Sequence, residues 1–235
     1  MLQEEGLGSI LRNGLNKAQY CVWEEDFLPG FDLTDLVGQF NWTANGVGAT
    51  VPAVADLKDE AFGVLAINTA GTADDAYITG QTNHAWIVPT TNKRILFKTR
   101  FNMRSATQSE FWVGVHDLAS TAAGTIVDGW YFRKDDGDTN IDFVYELADT
   151  AVSHTAIHTL VADVDVELAF EWLSLGTGKG QLWVYVDGKP VSGLNGLYVA
   201  SGATAAACGV GIAVKNGEGA AAIMDMDYIG VAVER

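Results

Sequence analysis

Short runs in which apolar and polar residues alternate follow one another along almost the whole chain, separated by Gly, Asn and Asp. In residues 95–103, Phe97 and Phe101 fall on one face of the run, and Lys98 and Arg100 fall on the other. A period of two is typical of a β-strand with one buried face. Because no helix-length pattern separates the runs, the sequence predicts an all-β, antiparallel sandwich and argues against βαβ units.

Residues 181–186 repeat this alternation, with three aliphatic residues on one face and Gln181, Trp183 and Tyr185 on the other. The Asp-Gly pair that follows, at 187–188, tolerates positive φ and predicts a tight hairpin turn. The complete set of predicted strands is residues 20–27, 38–42, 62–68, 95–103, 111–116, 129–134, 141–147, 164–173, 181–186, 209–214 and 222–233.

Length and composition indicate one folded domain. The chain has 235 residues, of which 48% are hydrophobic and 19% are charged. A chain of this size buries roughly 70% of its unfolded surface without help from disulfides or metals, and single β-sandwiches commonly reach this length. We therefore expect one sandwich domain over residues 20–235, preceded by an N-terminal arm formed by residues 1–19.

The arm carries a short apolar stripe. Leu7, Ile10, Leu11 and Leu15 have the spacing of one face of an amphipathic helix. Glycines within the same segment weaken that helix by up to ~1 kcal/mol for each one in its interior. We expect the arm to be loosely ordered alone and to become ordered when the stripe is buried against a partner.

The charge balance narrows the classes of partner. The chain has 14 basic and 30 acidic residues, which gives a formal net charge of −16, and such a surface repels polyphosphates. The N-terminal residues lack the basic and apolar regions of a signal peptide, and no apolar run reaches the ~18–20 residues that span a bilayer. We expect no direct nucleic-acid partner, no membrane partner and synthesis in the cytoplasm.

The two cysteines, Cys21 and Cys208, lie far apart in sequence within strand-like segments. In a reducing compartment we expect both to stay reduced and buried. A disulfide between them is the alternative, and it requires that the first and last strands be neighbours.

Residues 136–142 place oxygen-bearing side chains at alternate positions, which superficially resembles a calcium loop. An EF-hand needs Gly at position 6 and Glu at position 12, where this chain has Ile141 and Leu147. A β-hairpin with strands at 129–134 and 141–146 explains the same residues. The hairpin is the favoured interpretation.

Paired acids are the signature of a glycosidase, which needs carboxyl groups about 5–5.5 Å or about 6.5–9.5 Å apart. On a regular strand, Asp225 and Asp227 would lie about 6.5–7 Å apart, and Glu167 and Glu171 about 13 Å apart. The first spacing occurs on any solvated strand face. We therefore interpret these acids as structural and predict no enzymatic activity.

The histidines and the remaining motifs do not indicate catalysis either. His154 and His158 could share a zinc ion on a helix, but on the expected strand they lie about 13 Å apart. The sequence contains no nucleophile elbow, phosphate loop or dinucleotide fingerprint. It therefore predicts no catalytic residue, no metal site and no cofactor.

Clustered aromatic residues provide the strongest hint of a binding surface, because aromatic rings stack on sugars and dominate protein interfaces. Consecutive aromatics in a strand must face both sides of the sheet, and this applies to the Phe111-Trp112 pair and to residues 130–132. One side is core, and the other is a second buried layer, a sugar platform or a subunit contact. Trp112, Trp130 and Phe132 are the candidate surface contacts.

The strand order from about residue 95 onward resembles the concanavalin A-like, or laminin-G-like, jelly roll. The resembling stretches are residues 94–101, 111–117, 128–132, 181–191 and 226–231, and the resemblance implies that residues 20–27 supply the first strand. This resemblance implies a jelly-roll β-sandwich. It specifies architecture far better than activity, and the loop ligands and acids of lectin and hydrolase members have no match here.

The chain as a whole also resembles structural proteins of tailed bacteriophages, because an apolar arm precedes an acidic sandwich rich in Ala, Gly and Thr. Capsid decoration (cement) proteins are the most similar class. This resemblance implies a homotrimer on the virion surface that binds the major capsid protein, with the arm stripe as the docking segment. A protein that bridges capsomers adds interface that must be broken before they separate.

Two other function classes stay open. One is a carbohydrate-binding, lectin-like module of a phage fibre or adsorption device. The weaker one is a sandwich glycoside hydrolase or lyase.

Overall fold

The computed structural model describes residues 20–25, 42–45, 57–58, 64–69, 75–80, 87, 93–117, 126–176, 179–200, 207–217 and 222–235. The predicted arm, with its stripe of Leu7, Ile10, Leu11 and Leu15, lies outside these residues.

All named elements in the described part of the chain are β-strands, and all of their pairings are antiparallel. The strands are β1 (Tyr20–Glu25), β2 (Trp42–Asn45), β3 (Leu57–Lys58), β4 (Val64–Asn68), β5 (Asp75–Gly80), β6 (Arg94–Met103), β7 (Ser109–His116), β8 (Gly129–Lys134), β9 (Asn140–Glu146), β10 (Ala151–Thr159), β11 (Val166–Gly176), β12 (Lys179–Val186), β13 (Lys189–Ala200), β14 (Gly209–Asn216) and β15 (Ile223–Glu234).

The strands form two sheets. The eight-stranded sheet has the order β13-β12-β11-β6-β15-β4-β3, with β1 also paired to β15. The seven-stranded sheet has the order β10-β9-β8-β7-β14-β5-β2. On the side away from β6, β15 pairs with β4 through residues 223–226 and with β1 through residues 229–234. The fold is an antiparallel jelly-roll β-sandwich, as the sequence predicted.

The core lies between the two sheets and is built by the alternation seen in the sequence. Phe97, Phe101 and Met103 of β6 are fully buried. Aromatic rings from opposite sheets meet there: the ring centroids of Trp130 and Trp172 lie 5.0 Å apart. Burying side chains of this size supplies the main favourable free energy of folding.

Two of the three aromatic residues predicted to lie at the surface belong to this core. Trp130 and Phe132 have no exposed surface, so the prediction of a surface contact is wrong for both. They occupy alternate positions of β8, which is a central strand, and its inner face takes both large rings. Tyr131, between them, faces the outer side of the sheet.

The hairpin predicted for residues 129–146 is confirmed, because β8 and β9 pair directly across the turn. The Asp-Gly turn is confirmed as well: Asp187 and Gly188 both have positive φ, 48° and 72°, which is the geometry of a two-residue hairpin turn. The structure adds β3, β5 and β13, which were not predicted, and it defines β10, which was expected only as a strand without stated bounds around His154 and His158. Of these, β10 and β13 are the edge strands at one side of the sandwich.

Candidate functional site

Three aromatic side chains lie next to one another on the outer face of the eight-stranded sheet. Trp183 and Tyr185 belong to β12 and Tyr198 belongs to β13; we refer to them as the aromatic strip. Tyr198 is 56% exposed, and the other two are partly exposed. A cluster of exposed aromatics on a rigid sheet is typical of a binding surface.

The alternation of β12 places the strip. Leu182 and Val184 are fully buried in the core, so Trp183 and Tyr185 face outward, about 6.6 Å apart along the strand. Tyr198 lies opposite Gln181 in the register, which makes it the diagonal neighbour of Trp183 at about 7–8 Å. The strip therefore crosses two strands.

Gly196 lies beside the indole of Trp183 and leaves space for it. This glycine is the extra residue of a bulge in β13, between the pairs Leu182–Leu197 and Trp183–Asn195, and its φ is +79°. A Cβ atom at Gly196 would lie 3.3 Å from Nε1 of Trp183. Because glycine has no Cβ atom, it adopts the left-handed backbone conformation without strain and leaves room for the Trp183 ring.

Polar groups lie between and beside the rings. Gln181 and Asn195 lie opposite Tyr198 and Trp183, respectively, and each amide both donates and accepts hydrogen bonds. Glu171 pairs across the strands with Trp183, and its carboxylate lies 3.5 Å from the Arg94 guanidinium. Burial raises the pKa of Glu171, and the Arg94 charge opposes that rise.

Farther along the same face, a compact charge network surrounds Lys98. The Lys98 ammonium lies 2.6 Å from Oε2 of Glu167, and the Tyr228 hydroxyl donates to the same oxygen at 2.6 Å. Lys98 also lies 5.3 Å from the centre of the Tyr228 ring. These groups satisfy one another, which indicates a structural role for this part of the face.

The acids that the sequence raised as a possible glycosidase pair are engaged separately. Asp225 is paired with Arg104 at 3.2 Å, and Asp227 lies 3.5 Å from Arg100. The register of β15 shifts between Met226 and Tyr228, so Asp227 is an extra residue of a bulge and the regular same-face spacing does not apply. Both acids serve ion pairs, and Asp225 does so while buried.

On the other side of the β12–β13 hairpin lies a cleft between the edges of the two sheets, which we refer to as the edge cleft. Its volume is about 660 Å³. Residues 154–158 of β10 form one wall, and residues 186–187 and 189–194 of the hairpin form the other. Small-molecule sites commonly have volumes of ≈ 300–1,000 Å³.

Two bulges open the edge cleft. In β10, the pairs His154–Phe143 and His158–Ile141 leave residues 155–157 opposite a single residue of β9. In β13, the register passes from Pro190–Tyr185 to Asn195–Trp183, so residues 191–194 lie opposite Val184 alone. Bulges are enriched at sheet edges and next to functional sites.

Two histidines line the edge cleft. The ring of His154 lies 6.0 Å from the ring of Tyr145. Burial lowers the pKa of His154, and its Nε2 has no hydrogen-bond partner among the described residues. His158 lines the same wall. The sequence placed both on a strand, which is confirmed, but it did not foresee the bulge that brings them to one cleft.

Trp112, the third predicted surface aromatic, faces the outer side of the seven-stranded sheet. It is only 6% exposed and packs with Tyr131 and Val144. The Tyr131 hydroxyl donates to Glu146 at 2.9 Å. Trp112 therefore belongs to a small second layer of apolar packing, which was one of the three alternatives for these aromatics.

The two cysteines lie in different parts of the fold. Cys21 is half-buried in β1, opposite Val233 of β15. Cys208 is fully buried and forms an isolated bridge with Ile87 before β14. The first and last strands are indeed neighbours, but Cys208 is not on either of them.

The described ranges contain neither a metal-ion cluster nor a membrane-spanning helix. No cluster of three or more His, Cys, Asp or Glu side chains is arranged to hold a metal ion. No helix there is long and apolar enough to cross a membrane.

Comparison with known proteins identifies the fold. No family model and no curated protein matches the sequence. A protein of unknown function from Shewanella oneidensis MR-1 has a TM-score of 0.58 at 12% identity, over 92% of this chain and 87% of that chain. The metal-free carbohydrate recognition domain of Emp46p has a TM-score of 0.54 at 10% identity, over 88% and 94%.

A third similar structure is that of botulinum neurotoxin type C, whose cell entry depends on interaction with two ganglioside molecules. Its TM-score is 0.50 at 9% identity, over 82% of this chain and 43% of that chain. Together these structures share the jelly-roll β-sandwich fold of this chain.

Proposed function

We propose that this protein is a carbohydrate-binding module and that its saccharide ligand lies across the aromatic strip. One observation carries the proposal: Trp183, Tyr185 and Tyr198 share the outer face of β12 and β13 with the hydrogen-bonding side chains of Gln181 and Asn195. Tyr and Trp supply large contact areas at a low cost in conformational entropy. A sugar ring offers an apolar face for such rings and hydroxyl groups for the neighbouring polar side chains.

The groups beside the strip suit hydroxyl ligands. The amides of Gln181 and Asn195 flank the rings, and Glu171 supplies a carboxylate acceptor. Such a mixture of apolar contact and a few placed polar groups is what orients a small polar ligand. The Emp46p domain has the same fold, and this likeness supports the architecture while the strip supports the ligand class.

Glycan-array binding of the full chain, followed by titration with the best ligand, tests the proposal. We expect Trp183→Ala and Tyr198→Ala each to weaken binding by at least tenfold, because each removes a stacking surface. Tyr198→Phe keeps the ring and should retain most of the affinity. Val164→Ala is the matched control, since Val164 is 53% exposed but lies outside the strip.

A different outcome would contradict the proposal. If Trp183→Ala leaves glycan binding intact but changes the oligomeric state in sedimentation analysis, the strip is a contact between copies of this chain.

The expectation of a capsid decoration protein stays a prediction. Its docking residues, Leu7, Ile10, Leu11 and Leu15, lie outside the described residues, as do any contacts that they make with a major capsid protein. A carbohydrate-binding module is also compatible with a location on a virion. Mass spectrometry of purified particles tests that location.

A further inference from the structure

We propose that the edge cleft is a second saccharide site, which takes one or two neutral sugar rings independently of the aromatic strip. This proposal goes beyond the proposed function, because the edge cleft lies on the opposite side of the β12–β13 hairpin from the aromatic strip and is lined by different residues. The strip is an open surface suited to a chain, whereas the cleft is a concavity suited to a short ligand.

The cleft is built into the sheets and does not depend on a mobile loop. The N–H of Ala156 donates to Oδ1 of Asp142 at 2.8 Å and holds the β10 bulge at a φ of +55°. On the facing wall, Gly193 has a φ of +81°. A site whose walls are fixed in advance loses less entropy on binding.

The lining combines hydroxyl, imidazole and aliphatic groups. Thr155 and Ser192 supply hydroxyls, and Ile157, Val191 and Leu194 supply apolar surface. Hydroxyl groups both donate and accept hydrogen bonds. A ligand that carries many hydroxyls on an apolar ring matches both parts of this lining.

His154 supports a binding role for the cleft. Its Nε2 is shielded and has no hydrogen-bond partner among the described residues, a state that costs free energy and that an apolar side chain would avoid. Rotation about χ2 of histidine is soft, so a small turn of the ring can bring a nitrogen to a bound hydroxyl.

Charge favours a neutral ligand. Asp187 and Lys189 both line the cleft and offset each other, and the Asp187 carboxylate already accepts the Glu167 N–H at 3.0 Å. Burial lowers the pKa of His154, which favours its neutral imidazole. The net charge of −16 further disfavours anions.

Calorimetric titration of the full chain with glucose, galactose, maltose, cellobiose and lactose tests the proposal, with glucuronate as the charged comparison. We expect at least one neutral sugar to bind and glucuronate to bind more weakly. Ser192→Trp should weaken this binding at least tenfold by filling the cleft. His154→Leu should weaken it less, by removing one polar partner.

Val161→Trp is the matched control, because Val161 is 56% exposed and lies just beyond β10, outside the cleft. It should leave the affinity unchanged. Thermal melts of all three variants identify any loss of folding. Amide chemical-shift changes at residues 154–158 and 189–194 on addition of the sugar provide a readout that does not need a variant.

The proposals for the aromatic strip and for the edge cleft can be refuted independently of each other. If Trp183→Ala abolishes strip binding while Ser192→Trp abolishes binding of the short sugar, both proposals hold. If no neutral sugar binds, if glucuronate binds more tightly, or if Ser192→Trp has no effect, the cleft proposal is wrong, whatever the strip variants do.

Discussion

The strands β8 and β12 carry similar aromatic residues and use them in opposite ways. In β8, Trp130 and Phe132 point into the core; in β12, Trp183 and Tyr185 point outward, because Leu182 and Val184 occupy the inner face. β8 lies inside its sheet, whereas β12 has only β13 between it and the edge. The phase of the strand therefore decides whether an aromatic residue is buried in the core or available at the surface.

The largest expected effect separates these two roles. Trp130→Ala should lower the free energy of unfolding by about 3–5 kcal/mol, because it leaves a cavity against Trp172. Trp183→Ala should cost only about 1 kcal/mol. Urea unfolding of both variants measures the difference, and equal losses would show that Trp183 is a core residue in solution.

A pair of glycine variants gives an intermediate effect. Gly196 and Gly137 have almost the same φ, +79° and +76°, so alanine at either position should cost about 1–2 kcal/mol of left-handed strain. Only Gly196→Ala also crowds Trp183, because nothing lies within 4 Å of a Cβ at Gly137.

The readout that distinguishes them is local. Gly196→Ala should shift the Trp183 fluorescence and weaken glycan binding, whereas Gly137→Ala should change neither. If both variants affect glycan binding equally, the contact between Gly196 and the indole does not position the ring.

The smallest expected effect is a pH dependence of stability. Burial lowers the pKa of His116 and of His154. The unfolded chain therefore gains protons as the pH falls through about 6.5, while the folded chain resists them, and the free energy of unfolding decreases. The stabilisation is complete above about pH 6.5.

Chemical denaturation at pH 7 and pH 5 measures this slope. His116 is only 7% exposed, whereas His154 lines the open cleft, so His116→Gln should flatten the slope more than His154→Gln. A slope that neither variant changes would mean that other groups control the acid sensitivity.

The sequence predicts the centre of this fold well and the two proposed binding surfaces poorly. In β6 and β12, regular alternation identifies the strand and its buried face. In β10 and β13 that signal is broken by bulges at residues 155–157 and 191–194. β13 was not predicted, and β10 was expected only as a strand without stated bounds around His154 and His158. These two strands form the edge cleft, so the departures from regular alternation hid the site.

Two residues of the aromatic strip could have been predicted from the sequence, but the strip was not predicted as a site. Alternation put Trp183 and Tyr185 on the polar side of their strand, and the structure confirms that phase. From the sequence, the aromatic run at residues 130–132 was selected instead. Three consecutive aromatics fit a strand equally well with either face buried, so the run does not show which rings are exposed. Tyr198 could not be placed, because β13 was missing from the predicted strands.

The pairings of β15 have a consequence for the newly made chain. Tyr20 is the direct partner of Glu234, and β15 is also the partner of β4 and β6. Contacts between such distant parts of a sequence form slowly. During translation, the edges of β1, β4 and β6 that pair with β15 stay unpaired until residues 223–234 leave the ribosome. In that interval the nascent chain is most exposed to aggregation.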